Sequence, residues 1–234
     1  MRRPSVIAHR GASGYEYENS RAAFRRAVML DADGVELDIH ATRDGAIVVH
    51  HDADVPGAGP IAEMSLTQVR HTQIRNGEVL PLLSEILDLL GAMDVWIEVK
   101  NLPPAYDASL LAVLDAGPHP ARYAVHSFDH RVVRRLGEAR PGLRRGILLS
   151  AHLEDPVAAM RIAGATVLWQ DWRQVDRELV TRVHAAGYTL IAWTVNEVGD
   201  LERLVRMGVD GLCGNYPDRM RVALAARLEE TSST

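Results

Sequence analysis

The sequence predicts a single-domain α/β fold, a (β/α)8 TIM barrel with a β-hairpin and a short insertion after its second strand. Three observations lead there. Eight short β-rich runs alternate with helical patterns, which implies parallel strands joined by crossover helices. The chain has 234 residues, near the roughly 250 typical of such barrels, and eight units in that length favour a closed barrel over an open doubly wound sheet. One apolar run, Ile47–His51, follows the second strand too soon for a parallel crossover and must return antiparallel.

The expected strands are Val6–His9, Gly34–Ile39, Val95–Lys100, Tyr123–Ser127, Arg145–Leu149, Thr166–Gln170, Tyr188–Val195 and Asp210–Gly214. Helices between them carry start signals at Ser20, Ser84 and Asp155-Pro156, and stop signals at Gly91, Gly117, Gly164, Gly187 and Gly208. Apolar residues within them recur at helical spacing, as with Leu179, Val180 and Val183. Asp52–Pro81, rich in Gly and Pro at its start and helical at Ser65–Ile74, reads as an elaborated connection on the active-site face. Residues 1–224 make up the expected barrel, and 225–234 an expected frayed tail.

Asp44-Gly45 is a favoured two-residue hairpin turn. With those residues at the tip, Arg43 faces Ala46, Ala41 faces Val48 and Asp38 faces His51. Opposed residues in an antiparallel pair project to one side, so the hairpin is expected to deliver His51 beside Asp38, with Glu36 on the same side. His40 and His50 are expected to face away.

Composition narrows the function. A net charge of −5 with scattered Lys and Arg argues against nucleic acid as a partner. Cys213 is the lone cysteine, so neither an internal disulfide nor a cysteine zinc cluster is expected. After two N-terminal arginines only Val6-Ile7-Ala8 stands before His9-Arg10, too short for a signal peptide's apolar region, and no run is long enough for an integral membrane segment. A soluble, cytoplasmic protein acting on a small molecule is expected; homo-oligomerisation is left open.

In a barrel of this kind, chemistry sits at the C-terminal ends of the strands. Those ends carry His9-Arg10, then Glu36 and Asp38, then Glu98 and Lys100. Three carboxylates converging there would repel one another unless a positive charge lies between them. A hard divalent cation, Mg²⁺ or Ca²⁺, prefers such oxygen ligands; the plainer alternative is a set of structural ion pairs with Arg10 and Lys100. His9 and His51 are candidates for acid–base work near neutral pH, whereas His126 stays undecided. Arg10 and Lys100 offer positive charge to a phosphate.

The ordered motifs His9-Arg10-Gly11, Glu18-Asn19, Glu36-x-Asp38, Thr42-Arg43-Asp44-Gly45, His51-Asp52, Ile97-Glu98-Val99-Lys100, Ser127-Phe128-Asp129 and Trp193-Thr194-Val195-Asn196 closely resemble the glycerophosphodiester phosphodiesterases, from Ala8 to about Arg219. The resemblance implies a metal-dependent hydrolase releasing glycerol 3-phosphate and an alcohol. It implies His9 and His51 as general acid and base, Glu36, Asp38 and Glu98 as metal ligands, and phosphate contacts from Arg10 and Lys100. Trp193 would line the substrate pocket, and Glu18 would hold the loop after the first strand. The chain departs from the family pattern at Tyr17, at Ser20, in the Ala53–Pro60 segment, and at Asn215, where Asp is commoner. Two rival functions are a lysophospholipase D-like release of head groups and an inactive barrel that binds phosphodiesters. Retention of both an acid and a base argues against the second.

Overall fold

A computed structural model describes residues 3–232, with side chains described to position 225. The chain begins with β1 (Ser5–His9), α1 (Arg21–Met29), β2 (Gly34–Ala41) and β3 (Ile47–Val49). A connection follows, with two-residue strands β4 (Asp54–Val55) and β5 (Gly59–Pro60) and the single turn α2 (Leu66–Val69). Then come α3 (Leu83–Leu90), β6 (Asp94–Asn101), α4 (Asp107–Ala116), β7 (Tyr123–Ser127), α5 (His130–Ala139) and β8 (Arg144–Leu149). The chain closes with α6 (Pro156–Ala163), β9 (Val167–Asp171), α7 (Arg177–Ala185), β10 (Thr189–Trp193), α8 (Val198–Met207), β11 (Gly211–Gly214) and α9 (Pro217–Ser232). β1 pairs in parallel with both β2 and β11, which closes β1, β2 and β6 to β11 into an eight-stranded parallel barrel. Every expected barrel strand is present, displaced by at most two residues at an end.

Alternation along the strands sorts the side chains into two apolar regions. Outward residues such as Leu37 and Ile39 pack on Phe24, Leu83 and Leu87 of the surrounding helices. Across the barrel, Leu168, Leu190 and Leu212 pack on Met160, Val180 and Leu204. Inward residues fill the lumen, among them Ile7, Trp96, Leu148, Trp169 and Ile191. Trp169 fits there because β8 carries a glycine beside it: a Cβ on Gly146 would stand 2.9 Å from the Trp169 ring. The insertion has its own small core, in which Val48 meets Val55, Ile61, Met64, Val69 and Leu80.

Local chemistry sets the helix ends. Ser20 caps α1 by accepting from the Ala23 amide, and Asp155 caps α6 by accepting from Ala158 ahead of Pro156. Ser84 does not start its helix as expected. α3 begins at Leu83, and the Glu85 carboxylate reaches back to the Leu82 amide instead. The expected helix at Ser65–Ile74 contracts to Leu66–Val69, capped by Ser65.

The last helix, α9, extends through Ser232 into the tail expected from position 225, in keeping with the strong helix formers of its Ala-Ala-Arg-Leu-Glu-Glu run. The last two residues of that tail, Ser233 and Thr234, lie outside the described residues. The hairpin is one residue out of the expected register. Ile39 faces Val49 and Ala41 faces Ile47, so Asp38 stands opposite His50, whose amide donates to the Asp38 carbonyl at 3.0 Å. The loop holds three residues, Arg43, Asp44 and Gly45. Gly45 adopts φ +82, and Thr42 Oγ1 closes the loop by accepting from the Ala46 amide and donating to Asp44. A left-handed glycine ending a three-residue loop is the next commonest hairpin solution.

Candidate active site

The C-terminal ends of β1, β2 and β6 bring together the groups singled out in the sequence. In register, His9 lies beside Glu36, and Asp38 beside Glu98. Glu36, Asp38 and Glu98 are buried, and each offers a carboxylate oxygen within 4.8 Å of the others. A cavity of about 250 Å³ opens above them. His9, Arg10, His51 and Lys100 line its polar side, and Phe128, Leu148, Trp169 and Trp193 its apolar side. All eight predicted site residues thus sit in or beside one cavity: seven line it, and Asp38 lies against it, 3.1 Å from Lys100 Nζ.

His51 arrives there by a route the sequence did not predict. β3 ends at Val49, so strand parity no longer governs His51. Its direction is set by bonds. The His51 carbonyl is 3.0 Å from His40 Nε2, and its Nδ1 is 2.8 Å from Asp52 Oδ1. His50 Nδ1 lies 3.0 Å from the Asp52 carbonyl. His40 and His50, expected to face away, are therefore buried braces for the segment that carries His51. On the other wall, His9 Nδ1 is 2.9 Å from Asn215 Oδ1, which leaves Nε2 toward Glu36 at 4.0 Å. Asn215 is held in turn, its amide donating to Asn196 Oδ1.

Charge is arranged asymmetrically among the three acids. Burial, then repulsion from Asp38, pushes the Glu36 carboxyl up to about 7. Burial, then repulsion from Glu36 and Asp38, does the same to Glu98. Burial acts on Asp38 too, but Arg10, Lys100 and the Asn19 hydrogen bond outweigh it and hold its carboxyl below the usual range. Lys100 Nζ stands 3.1 Å from Asp38 Oδ1 and 2.7 Å from Glu98 Oε1. Arg10 Nη1 donates to Glu18 Oε2 at 2.8 Å. Burial also lowers His9, against the pull of Glu36, and takes His126 down to about 4.

These residues fit a divalent cation. Beyond its ion pair with Lys100, the buried Asp38 Oδ1 has no hydrogen bond among the described residues, and burial with mutual repulsion raises the two neighbouring carboxyls. The donors are all oxygens, the set a hard cation takes. A second cavity, of about 200 Å³, opens at the other end of the barrel. Its Asp33, Asp94 and Asp210 are each paired with arginine or histidine, so no free acid is poised there.

Sequence reasoning missed Asn215 and His40 as supports, and it named Asn215 only as a departure from a pattern. Asn19 stood in a quoted motif without a role, yet its amide donates to Asp38 Oδ2 at 2.8 Å. The motif context was the available signal for Asn19; nothing in the local sequence marks His40.

A closed parallel barrel with buried acids, basic side chains and imidazoles at its C-terminal mouth defines an enzyme of the barrel hydrolase type. Residues 9–219 match the model of the glycerophosphoryl diester phosphodiesterase family. The chain is 33% identical to a glycerophosphodiester phosphodiesterase of Caldanaerobacter subterraneus subsp. tengcongensis, over 92% of this chain and 95% of that one. Among solved structures, a glycerophosphodiester phosphodiesterase from Parabacteroides distasonis superposes with a TM-score of 0.85 at 25% identity, covering 97% of this chain and 98% of that one. A phosphodiesterase from Oleispira antarctica, solved with its product sn-glycerol 3-phosphate, shares the fold with a TM-score of 0.88 at 24% identity, over 95% and 97% of the two chains. The chain belongs to the glycerophosphoryl diester phosphodiesterase family, and its activity is that of a glycerophosphodiester phosphodiesterase. No helix among the described residues is long and apolar enough to cross a membrane.

Proposed function

We propose that this enzyme hydrolyses small glycerophosphodiesters to glycerol 3-phosphate and an alcohol, using one divalent cation and two histidines. The observation that carries the reading is the buried group Glu36, Asp38 and Glu98 in a cavity that also presents His9 and His51. Glu36, Asp38 and Glu98 would hold Mg²⁺ or Ca²⁺, which when bound supplies charge stabilisation for the phosphoryl oxygens. Arg10 and Lys100 bind the phosphate and stabilise the negative charge that builds up on it. One of His9 and His51 removes the proton of the attacking hydroxyl, and the other protonates the departing alkoxide. Both rings have Nδ1 tied, to Asn215 and Asp52, which leaves Nε2 as the working nitrogen of each. Trp193 packs edge-on against Phe128, with ring centroids 5.6 Å apart, and together they form an apolar wall for the substrate's carbon skeleton.

The test is turnover of glycerophosphocholine by protein dialysed against chelator. Activity is expected to vanish and to return with Mg²⁺ or Ca²⁺, with glycerol 3-phosphate as product. Full activity in excess chelator would overturn the metal role. Faster turnover of a long-chain lysolipid than of glycerophosphocholine would move the enzyme to head-group release from lipids.

A further inference from the structure

His126 is the histidine of the cavity for which the mechanism above has no use. It lies on β7 with its side chain inward, in register with Glu98 on one side and Gly146 on the other. Its ring rests 4.3 Å from the Trp169 ring and 5.8 Å from that of Trp96, centroid to centroid. The residue is 1% exposed, and neither ring nitrogen has a hydrogen-bond partner among the described residues. The nearest acid, Glu36 Oε1, is 3.7 Å from Nε2, beyond hydrogen-bond reach. The other histidines around the cavity are not left in this state. His9, His40, His50, His51 and His130 each have a ring nitrogen within hydrogen-bond distance of an oxygen. A buried polar group without a partner is costly, and in native structures it calls for a cause.

We infer that His126 is a substrate-binding residue whose imidazole hydrogen-bonds a free hydroxyl of the glycerol moiety on the cavity floor. The inference deepens the hydrolytic reading and rests on it. A neutral imidazole offers one N–H donor and one lone pair. A hydroxyl can meet either, whereas a phosphate oxygen only accepts and a quaternary ammonium does neither. The ring also sits against apolar surface, its face on Trp169 and Trp96, which suits the carbon-bound hydroxyls of glycerol better than a charged group. With Trp169 and Leu148 against the carbon atoms, the floor is complementary to an alcohol carrying free hydroxyls.

The test compares two ligands of equal charge, sn-glycerol 3-phosphate and 1-propyl phosphate, which lacks the hydroxyls. Binding is followed by calorimetry in the presence of Mg²⁺, so the readout does not depend on turnover. In His126→Phe the Kd for glycerol 3-phosphate is expected to rise about tenfold, as for loss of a buried hydrogen bond. The Kd for propyl phosphate should stay within about twofold, and His126→Gln, which keeps a donor and an acceptor, should recover part of the difference. His126→Leu serves the same purpose if the phenylalanine variant does not fold. Equal weakening of both ligands, or no change in either, overturns the inference while leaving hydrolysis by the wild type intact. Failure of the wild type both to hydrolyse glycerophosphocholine and to bind either phosphate overturns the hydrolytic reading itself.

Discussion

At the scale of single residues, the site depends on which nitrogen of each histidine is free. Asn215 and Asp52 hold Nδ1 of His9 and His51, so loss of either imidazole should remove a proton transfer rather than the fold. His9→Ala and His51→Ala are each expected to lower kcat by roughly 10²–10⁴, with circular dichroism unchanged. A nitrophenolate leaving group needs no protonation, so the variant lacking the acid should recover much of its rate on such a substrate while the other does not. Near-normal rates for both variants on glycerophosphocholine would end the acid–base assignment. Asn215→Ala should give a smaller loss in kcat than His9→Ala, because the ring remains and only its orientation is freed. The side chains proposed to touch the reaction were legible in the sequence, since strand ends and motif order point to them. Their supports were not, because Asn215 is 206 positions from His9.

At the scale of elements, the β2–β3 hairpin is the device that brings His51 to acids on two other strands. Its expected register was one residue off, yet His51 still reached the cavity, because the chain leaves the strand at Val49 and His40 takes over the aiming. Asp-Gly is compatible with loops of two or three residues, and Thr42 decides between them by bonding across the tip. Gly45 carries φ +82, and a Cβ there would stand 3.2 Å from both Ser109 Oγ and Tyr106 Cδ1. Gly45→Ala should therefore cost about 1–2 kcal/mol in urea denaturation, the penalty of a left-handed conformation in a residue with a Cβ. Because the same loop carries the strand that leads to His51, kcat should fall as well. A destabilised variant with unchanged kcat would show that His51 is aimed independently of the hairpin tip.

At the scale of the whole molecule, barrel closure forces three acids into one buried place, and the proposed cation site then predicts a link between protons and metal. Burial raises Glu36 and Glu98 to about 7 in the metal-free protein, yet both must be ionised to act as ligands. Below that pH a cation must displace protons, so affinity is lower; as pH rises through about 7 the displaced protons fall toward none and affinity increases. Calorimetry with Mg²⁺ or Ca²⁺ in buffers of differing ionisation enthalpy should show proton release near pH 6 that disappears by about pH 8.5. A Kd independent of pH across that range would contradict the assignment of these carboxylates as ligands. By itself the sequence determined the eight strands, the inward parity of Glu36, Asp38 and Glu98, and the presence of an antiparallel return, because each follows from local periodicity and turn chemistry. Only the tertiary structure decided the hairpin register, the bracing of His9 and His51, and the bare imidazole of His126. The settings of His9 and His126 depend on partners far apart in sequence, Asn215 and Trp169, which no local pattern encodes. The register and the aim of His51 turn on short-range bonds, from Thr42 to Ala46 and from His51 to Asp52, that compete with an equally compatible local loop and are settled only in the folded hairpin.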